Sequence, residues 1–493
     1  MGKHSAKQRR IPNVSQGAKS AVAYTFASLF SKGLAFITVP IFTRIMSTDE
    51  IGTVNLYNSW QSTLTVIATL SLTYGGYMVA LKEFEHERDQ YESSVLALTT
   101  ISSCIVAALY FIAPNFWSKI LGLDRSLLVL MVIGFLVSPA TEFWLARQRY
   151  EYRYKAATAV TILSAIVASV LSVIVVIFLR NNHSEAVAEG RLIANYGVLY
   201  AVALVLWIYI MVRGHKVFNC KYWSFSLALS LPLIANQFAT QILNNSGRVM
   251  IGWFVNNSAV GIYGTLSSIS TVSTIVWSAI NSSFIPFLYR NLDNNEGKKK
   301  IKNLSQLLLA AYAMVCVLIT FLAPEVVKIM ATDEYYSAIY VMPAISAAIF
   351  QNAISNMYAN VLLYHKKSSY ILISSVTAAI VNIVLNALLI PLFGYQAAAY
   401  SMLIAFMLLS YLQMFISRKL HFKITDSCET VYNDSAIIVI QWATIILSFT
   451  SMVLYHFTIL RYAAVIGLLL GGCILLKKYD KLGKDRRVRD CLD

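Results

Sequence analysis

The sequence predicts an all-α polytopic membrane protein with about 14 transmembrane helices: two parallel six-helix bundles around a central cavity, plus two C-terminal helices. Three observations predict it: the composition, the spacing of the apolar runs and the placement of positive charge. Of 493 residues, 57% are hydrophobic and 13% are charged, with a mean hydropathy of +0.61. A soluble chain carries about 25% charged residues, so this one lacks the polar surface to hold so much apolar side chain in water. Disordered, collagen-like and coiled-coil readings fail on the same figures.

A bilayer core about 30 Å thick is crossed by roughly 20 apolar helical residues. The first such run, near 20–44, follows a polar basic start and has no small-residue cleavage site, so it is read as a retained helix and not as a removed signal peptide. Five more runs, near 54–80, 93–113, 126–146, 157–179 and 192–212, complete the first six. The next six lie near 225–254, 260–287, 304–329, 337–363, 370–391 and 395–416, and two more near 434–456 and 459–476. The second and eighth runs are the most polar, being rich in Ser, Thr and Asn.

Charge placement orients these helices. If successive helices alternate in direction, 31 of the 40 Lys and Arg fall on the side of the two termini and 7 on the other. Lys32 and Arg248 remain inside spans. Such a bias places both termini in the cytoplasm of a cell (inner) membrane protein. It also accounts for the net charge of +16 without nucleic acid, because the cations are spread over short segments facing anionic membrane lipids. Every loop is short, which leaves no room for a folded external domain.

Ile51-Gly52-Thr53-Val54 is echoed by Val260-Gly261-Ile262-Tyr263 at an offset of 209. Ile166-Val167 and Val170-Leu171 are echoed by Ile380-Val381 and Val384-Leu385 at an offset of 214. Both offsets step over six helices, an even number, so the halves run parallel about an axis along the membrane normal, as in transporters that alternate access between two bundles. The expected organisation is a basic N-terminus (1–19), bundles at 20–222 and 223–424, two extra helices (425–478) and a basic tail (479–493).

Lys32 lies about 18 Å of helix from either end of its span, beyond the reach of a snorkelling stem. A charge at that depth costs about 2.5–3.5 kcal/mol on insertion scales, so it is expected to face water, a partner or a ligand. Arg248 is shallower and shares a stripe with Asn236, Thr240 and Asn244 at four-residue spacing, with Gln237, Gln241 and Asn245 on the adjoining rows. A stripe that polar does not face lipid. Asn55, Ser59, Ser62, Thr69 and Thr73 on the second run, and Asn352, Asn356 and Asn360 on the tenth, are its expected counterparts across a hydrated cavity. The Ser, Thr and Asn of the eighth run wrap too far round to define one face. Interhelical hydrogen bonding, at about 0.6 kcal/mol each, is the plainer use of any single hydroxyl.

Carboxylates are scarce at depth. Glu142, near the end of the fourth run, is expected to form an interfacial ion pair with Arg147. The six cysteines form no Cys-x-x-Cys pair and no Cys/His cluster, so no metal or cofactor is expected. A cavity with cations and few anions suits an anionic substrate, and phosphate matches Lys and Arg by charge-assisted hydrogen bonds.

Three blocks carry a resemblance. Residues 24–44, with Thr38-Val-Pro-Ile-Phe-Thr-Arg44, Arg248-Val-Met-Ile-Gly-Trp-Phe-Val255 followed by Val260-Gly-Ile-Tyr263, and Asn382-Ile-Val-Leu-Asn-Ala-Leu-Leu-Ile-Pro-Leu-Phe-Gly394 closely resemble, in order and spacing, the bacterial polysaccharide repeat-unit (O-antigen or capsule) flippases of the multidrug/oligosaccharidyl-lipid/polysaccharide exporter superfamily. The resemblance implies translocation of an undecaprenyl-diphosphate-linked oligosaccharide for surface polysaccharide biosynthesis, including lipopolysaccharide, by a transporter and not an enzyme. It implies substrate-binding roles for Lys32 and Arg248. Expected partners are that lipid-linked oligosaccharide, a polysaccharide polymerase and a chain-length regulator, with H+ or Na+ coupling left open. One departure is Gly247, where relatives often carry an acid beside the arginine, which removes the basis for an Asp–Arg pair here. A multidrug antiporter on the same scaffold is the second reading and predicts an essential buried carboxylate. A membrane glycosyltransferase or polymerase is the third, and predicts acidic groups on larger external loops.

Overall fold

The computed structural model describes residues 14–73, 76–293, 295–425 and 429–472. Among them every regular element is a helix. The first eight are α1 (Val14–Ile45), α2 (Thr48–Ala68), α3 (Gly76–Glu83), α4 (Arg88–Ile112), α5 (Pro114–Leu121), α6 (Arg125–Tyr150), α7 (Tyr154–Asn181) and α8 (Val187–Gly214). They are followed by α9 (Cys220–Phe254), α10 (Asn257–Ser270), α11 (Ser273–Asn291), α12 (Asn295–Phe321), α13 (Ala323–Met330) and α14 (Asp333–Tyr336). The last are α15 (Met342–Tyr364), α16 (Ser368–Phe393), α17 (Ala397–Thr425) and α18 (Asp434–Leu454), then α19 (Thr458–Gly472). Residues 1–13 of the expected N-terminus, the end of the fourteenth run beyond Gly472 and the whole basic tail lie outside the described residues.

The chain is a multi-pass membrane protein. Among the described residues ten helical segments are long and apolar enough to cross a bilayer, or eleven if the bent pair Cys220–Leu231 and Leu233–Phe254 forms one span. The described parts of the fourteen predicted runs fall mostly on helices, but fourteen separate spans are not established. The polar runs explain part of the difference. The second breaks after α2, where Leu70 (φ 54°) and Ser71 (φ 40°) leave the helical region. The Thr69 hydroxyl there donates to the Thr65 carbonyl at 2.8 Å, the local competition that makes Ser and Thr poor helix-interior residues. The eighth run is interrupted between α10 and α11, where Thr271 and Thr274 donate back to Ser268 (2.8 Å) and Thr271 (2.6 Å), yet Asn257–Asn291 still counts as one of the ten spans. The sixteenth and seventeenth helices are joined by a tight turn at Gly394 (φ 71°) and form one continuous apolar segment, Ser368–Ile424.

The structure divides into two compact units. Unit 1 holds the described residues up to Ile41, Thr65–Lys119 and Asp124–Leu233; unit 2 holds Phe42–Leu64, Ile120–Leu123 and the described residues from Ile234 onward. In unit 1, α4, α6 and α8 pack on one another and α7 packs on α8. One end of the unit is filled by an aromatic cluster. Phe84 lies 4.8 Å from Tyr222 and 5.1 Å from Tyr91 between ring centroids, and Tyr77 lies 4.9 Å from Phe143. Such ring pairs add about 0.5–1.5 kcal/mol each beyond burial. On α7, Leu163, Val167, Val170 and Ile174 are exposed at helical spacing, an apolar stripe of the kind that lipid covers.

In unit 2, α15 is the most deeply buried span and packs against α17, α12 and α18. Ala347, Ala348, Ala378, Ala379 and Ala405 form the core there, small side chains that let membrane helices approach closely. The last two helices are tied to this unit: Tyr455 donates to the Thr320 carbonyl at 3.0 Å, and Arg461 and Tyr462 both bond Glu325.

The internal repeat has a physical counterpart within unit 2. A Cβ added at Gly52 would lie 1.8 Å from the Asn257 carbonyl oxygen, and one at Gly261 would lie 2.0 Å from that of Thr48. Shifting Thr48 and Gly52 by the offset of 209 gives Asn257 and Gly261. Each glycine therefore meets the repeat-equivalent of the residue four before itself, the reciprocal pattern of a two-fold contact. The joint is closed by Thr48 donating to Ser258 (3.3 Å) and Asn257 to Thr53 (3.4 Å).

Candidate functional site

The polar residues of α2, α9 and α10 converge within unit 2. Asn256 caps α10 by accepting the Ala259 amide at 2.8 Å, which sets the register that brings Ser267 to Arg248. The Arg248 guanidinium donates to the Ser267 hydroxyl at 3.0 Å and reaches the Asn245 amide oxygen at 3.5 Å. The Asn245 amide nitrogen donates to Ser62 (2.9 Å), Thr63 (3.2 Å) and Gln241 (3.2 Å). Thr63 and Ser59 anchor to their own helix, donating to the carbonyls of Ser59 (2.7 Å) and Asn55 (2.8 Å).

Every hydrogen-bond partner of Arg248 in this network is neutral, and its Nε is buried with no acceptor. The absence of an acid has a local cause. A Cβ at buried Gly247 would already lie 3.3 Å from Ala398 and 3.4 Å from the Tyr263 hydroxyl, leaving little room for a carboxylate side chain. A guanidinium held by hydroxyl and amide groups has no carboxylate to neutralise it and keeps a spare donor, the condition for accepting an anion by charge-assisted hydrogen bonds.

The remaining predicted residues are distributed as follows. Asn236, Thr240 and Asn244 spend bonds along α9 itself, with Thr240 donating to the Asn236 carbonyl and Asn244 to that of Thr240, both at 2.9 Å. Gln237 is half-buried on the same helix. On α15, Asn352 accepts from Ser355 at 2.8 Å, Asn356 is half-buried, and Asn360 donates to Asn281 at 2.9 Å. Lys32 belongs to unit 1. It is exposed midway along the Val22–Ile45 span and has no ion-pair partner among the described residues.

Glu142 departs from expectation. It accepts from Thr73 at 2.7 Å, while Arg147 bonds Glu92 and Asp89 (2.5 Å each) and Glu151 (3.1 Å). The cause is helical register: Glu151 stands four residues after Arg147, on the same face, and α4 supplies Asp89 and Glu92. A second network was not anticipated as a site. Asn382 and Asn386, four residues apart on α16, bond each other at 3.1 Å, and both bond Ser246 of α9. Two asparagines at helical spacing in an apolar run were its only sequence signal. Among the described residues no group of three or more metal-ligating side chains occurs.

Comparison with known proteins places these features in context. The chain is 20% identical over 388 residues to Lsg locus putative protein 1 of Haemophilus influenzae, covering 74% of this chain and 89% of that one. Its fold is similar to the lipid II flippase MurJ in an inward closed conformation, with a TM-score of 0.63 at 13% identity, covering 95% of this chain and 100% of MurJ. It is also similar to an inward-facing multidrug-resistance MATE family transporter of the MOP superfamily, with a TM-score of 0.60 at 12% identity, covering 83% and 100%. At such identities the structures establish the fold alone. The family model for polysaccharide biosynthesis proteins matches residues 18–292, more than half the chain, and the chain belongs to that family.

Proposed function

We propose that this protein is a flippase that moves undecaprenyl-diphosphate-linked oligosaccharide repeat units across the cytoplasmic membrane by alternating access, for O-antigen or capsule. The observation that carries the proposal is Arg248, a cation on the apolar bent helix α9 whose hydrogen-bond partners are neutral and whose Nε is buried with no acceptor. Membership of a polysaccharide biosynthesis family supports it. In this reading Arg248 and Lys32 each serve as a cation for the substrate diphosphate, and the oligosaccharide meets the amide-rich faces of α9 and α15. Both termini lie in the cytoplasm, in keeping with the charge bias.

The test is a strain that depends on this protein for its surface glycan. Arg248→Ala and Lys32→Ala should each reduce surface polysaccharide and cause lipid-linked units to accumulate inside. A lost charge-assisted hydrogen bond, about 1.5–3 kcal/mol, corresponds to about a ten- to hundredfold loss in affinity. Asn245→Asp is the sharper variant. It keeps the side-chain shape but turns the oxygen beside the guanidinium into a carboxylate oxygen and gives up the amide bonds to Ser62, Thr63 and Gln241, so it should impair transport more than the loss of stability alone explains, as read at matched levels of folded protein. Unchanged glycan at normal protein levels in all three variants would remove the phosphate role.

The multidrug-antiporter reading draws on Glu142, a carboxylate within a span whose hydrogen bond comes from Thr73. If H+ coupling runs through this group, Glu142→Gln should abolish transport driven by a pH gradient and leave substrate binding intact. If the flippase reading is correct, the same substitution should leave resistance to toxic cations unchanged.

A further inference from the structure

A cleft of about 1010 Å³ opens in unit 1, where α1, the α6–α7 turn and α8 meet. It lies at the ends of the helices that the charge bias assigns to the cation-rich side. Lys19, Arg153 and Lys155 line it, and no carboxylate does. The nearest acid along the chain, Glu151, is already engaged by Arg147 at 3.1 Å and by Arg153 at 3.2 Å. The Arg153 side chain is still 62% exposed, so most of its donors face the opening.

The rest of the lining is amphipathic. Val205 and Leu206 make an apolar wall, and Tyr209 stands at its edge with its hydroxyl accepting from Arg213 at 2.7 Å. Outside the cleft, α7 and α8 expose further apolar side chains, Leu163 on α7 and Leu204 and Ile208 on α8. Cations set above an exposed apolar strip, with tyrosine at the boundary, form the profile of a bilayer interface. A soluble anion would make no use of the strip, whereas an amphiphile uses both parts. Basic pockets between membrane helices on the cation-rich side are a known mode of binding anionic headgroups.

We propose that this cleft holds the headgroup of an anionic glycerophospholipid, with its phosphodiester against Lys19, Arg153 and Lys155 and its acyl chains along α7 and α8. The cations are exposed and sit on separate elements, without the buried neutral cradle that surrounds Arg248. That arrangement suits a single diester charge from bulk lipid better than a diphosphate.

The full-length protein, purified in detergent and mixed with equal amounts of phosphatidylglycerol and phosphatidylcholine, is examined by native mass spectrometry. Phosphatidylglycerol should be retained preferentially. Each cation removed should lower that retention on the order of fivefold, in Lys155→Gln and more so in K19Q/R153Q/K155Q. Lys155 is exposed, so its single variant tests the site without disturbing the fold. Equal retention of the two lipids, or retention unaffected by the triple variant, overturns the proposal. So does displacement of phosphatidylglycerol by an added polyprenyl diphosphate at equal concentration, which would make the cleft a substrate site. The Arg248→Ala protein should retain phosphatidylglycerol normally, which separates failure here from failure of the flippase reading.

Discussion

Arg147→Ala should lower the stability of the purified protein by about 3–5 kcal/mol, the cost of breaking a buried ion pair from one side. Arg147 is 8% exposed and bonds three carboxylates, one of which, Glu92, is 3% exposed. Removing the guanidinium leaves Glu92 buried and uncompensated, and the neighbouring carboxylates then repel one another. The penalty belongs to the stranded charge more than to the lost attraction, so a second substitution should reveal it. Adding Glu92→Gln to Arg147→Ala should recover part of the loss, because a neutral amide is far cheaper to bury than a carboxylate. Arg213→Ala is the control. Its pair with Asp89 is 40% and 36% exposed, and its removal should fall within the ~0–1 kcal/mol of surface pairs. Thermal unfolding in one detergent, followed by tryptophan fluorescence, ranks the four proteins. Equal destabilisation by Arg147→Ala and Arg213→Ala would contradict a buried network.

That cluster also shows what the sequence could and could not convey. The composition, the apolar runs and the charge bias require an all-helical membrane protein, because each follows from solvation alone. The polar face of α9 was expected at Asn236, Thr240, Asn244 and Arg248, because lipid does not accept such a face, yet the bonds that reach Arg248 run through Asn245 of the adjoining row, while Thr240 and Asn244 bond their own helix. Partner choice was not legible. Arg147 had Glu142, Glu151, Asp89 and Glu92 within reach of any plausible packing, and which it bonds depends on how α4 and α6 are rotated. The bond from Thr73 to Glu142 depends on the break after α2, where hydroxyls compete with the helix ladder in a way that hydropathy does not register. Ser246 with Asn382 and Asn386 escaped notice because three small polar groups in apolar runs become a site only when two helices face each other. The assignment of Phe42–Leu64 and Ile120–Leu123 to unit 2 was hidden likewise. It rests on specific bonds, such as the indoles of Trp60 and Trp253 donating to the carbonyls of Leu121 (3.0 Å) and Ile120 (2.7 Å).

The repeat signature at Gly52 and Gly261 supports the other large prediction. Valine at either position should destabilise the protein by at least the ~1–3 kcal/mol typical of overpacking, and by more than a change at Gly264 or Gly197. The obstacle decides the size of the effect. At Gly52 the atom in the way is the Asn257 carbonyl oxygen, 1.8 Å from an added Cβ, and at Gly261 it is that of Thr48 at 2.0 Å. Backbone cannot rotate aside, so α2 and α10 must separate, and Arg248 then loses the spacing to Ser267 on which its placement depends. Gly264 provides the intermediate case, because its nearest obstacle is the Asn55 side-chain amide at 2.5 Å, which can swing away at a smaller cost. Gly197 meets nothing within 4 Å, so Gly197→Ala should be neutral or slightly stabilising through helix propensity alone. The expected order of thermal stability is therefore Gly197→Ala above Gly264→Ala, with Gly52→Val and Gly261→Val lowest and similar to each other. The similarity of the last two is the discriminating result. If the joint is reciprocal, the same substitution in either half forces the same two backbones apart, whereas an accidental crossing would make one glycine matter and leave the other tolerant.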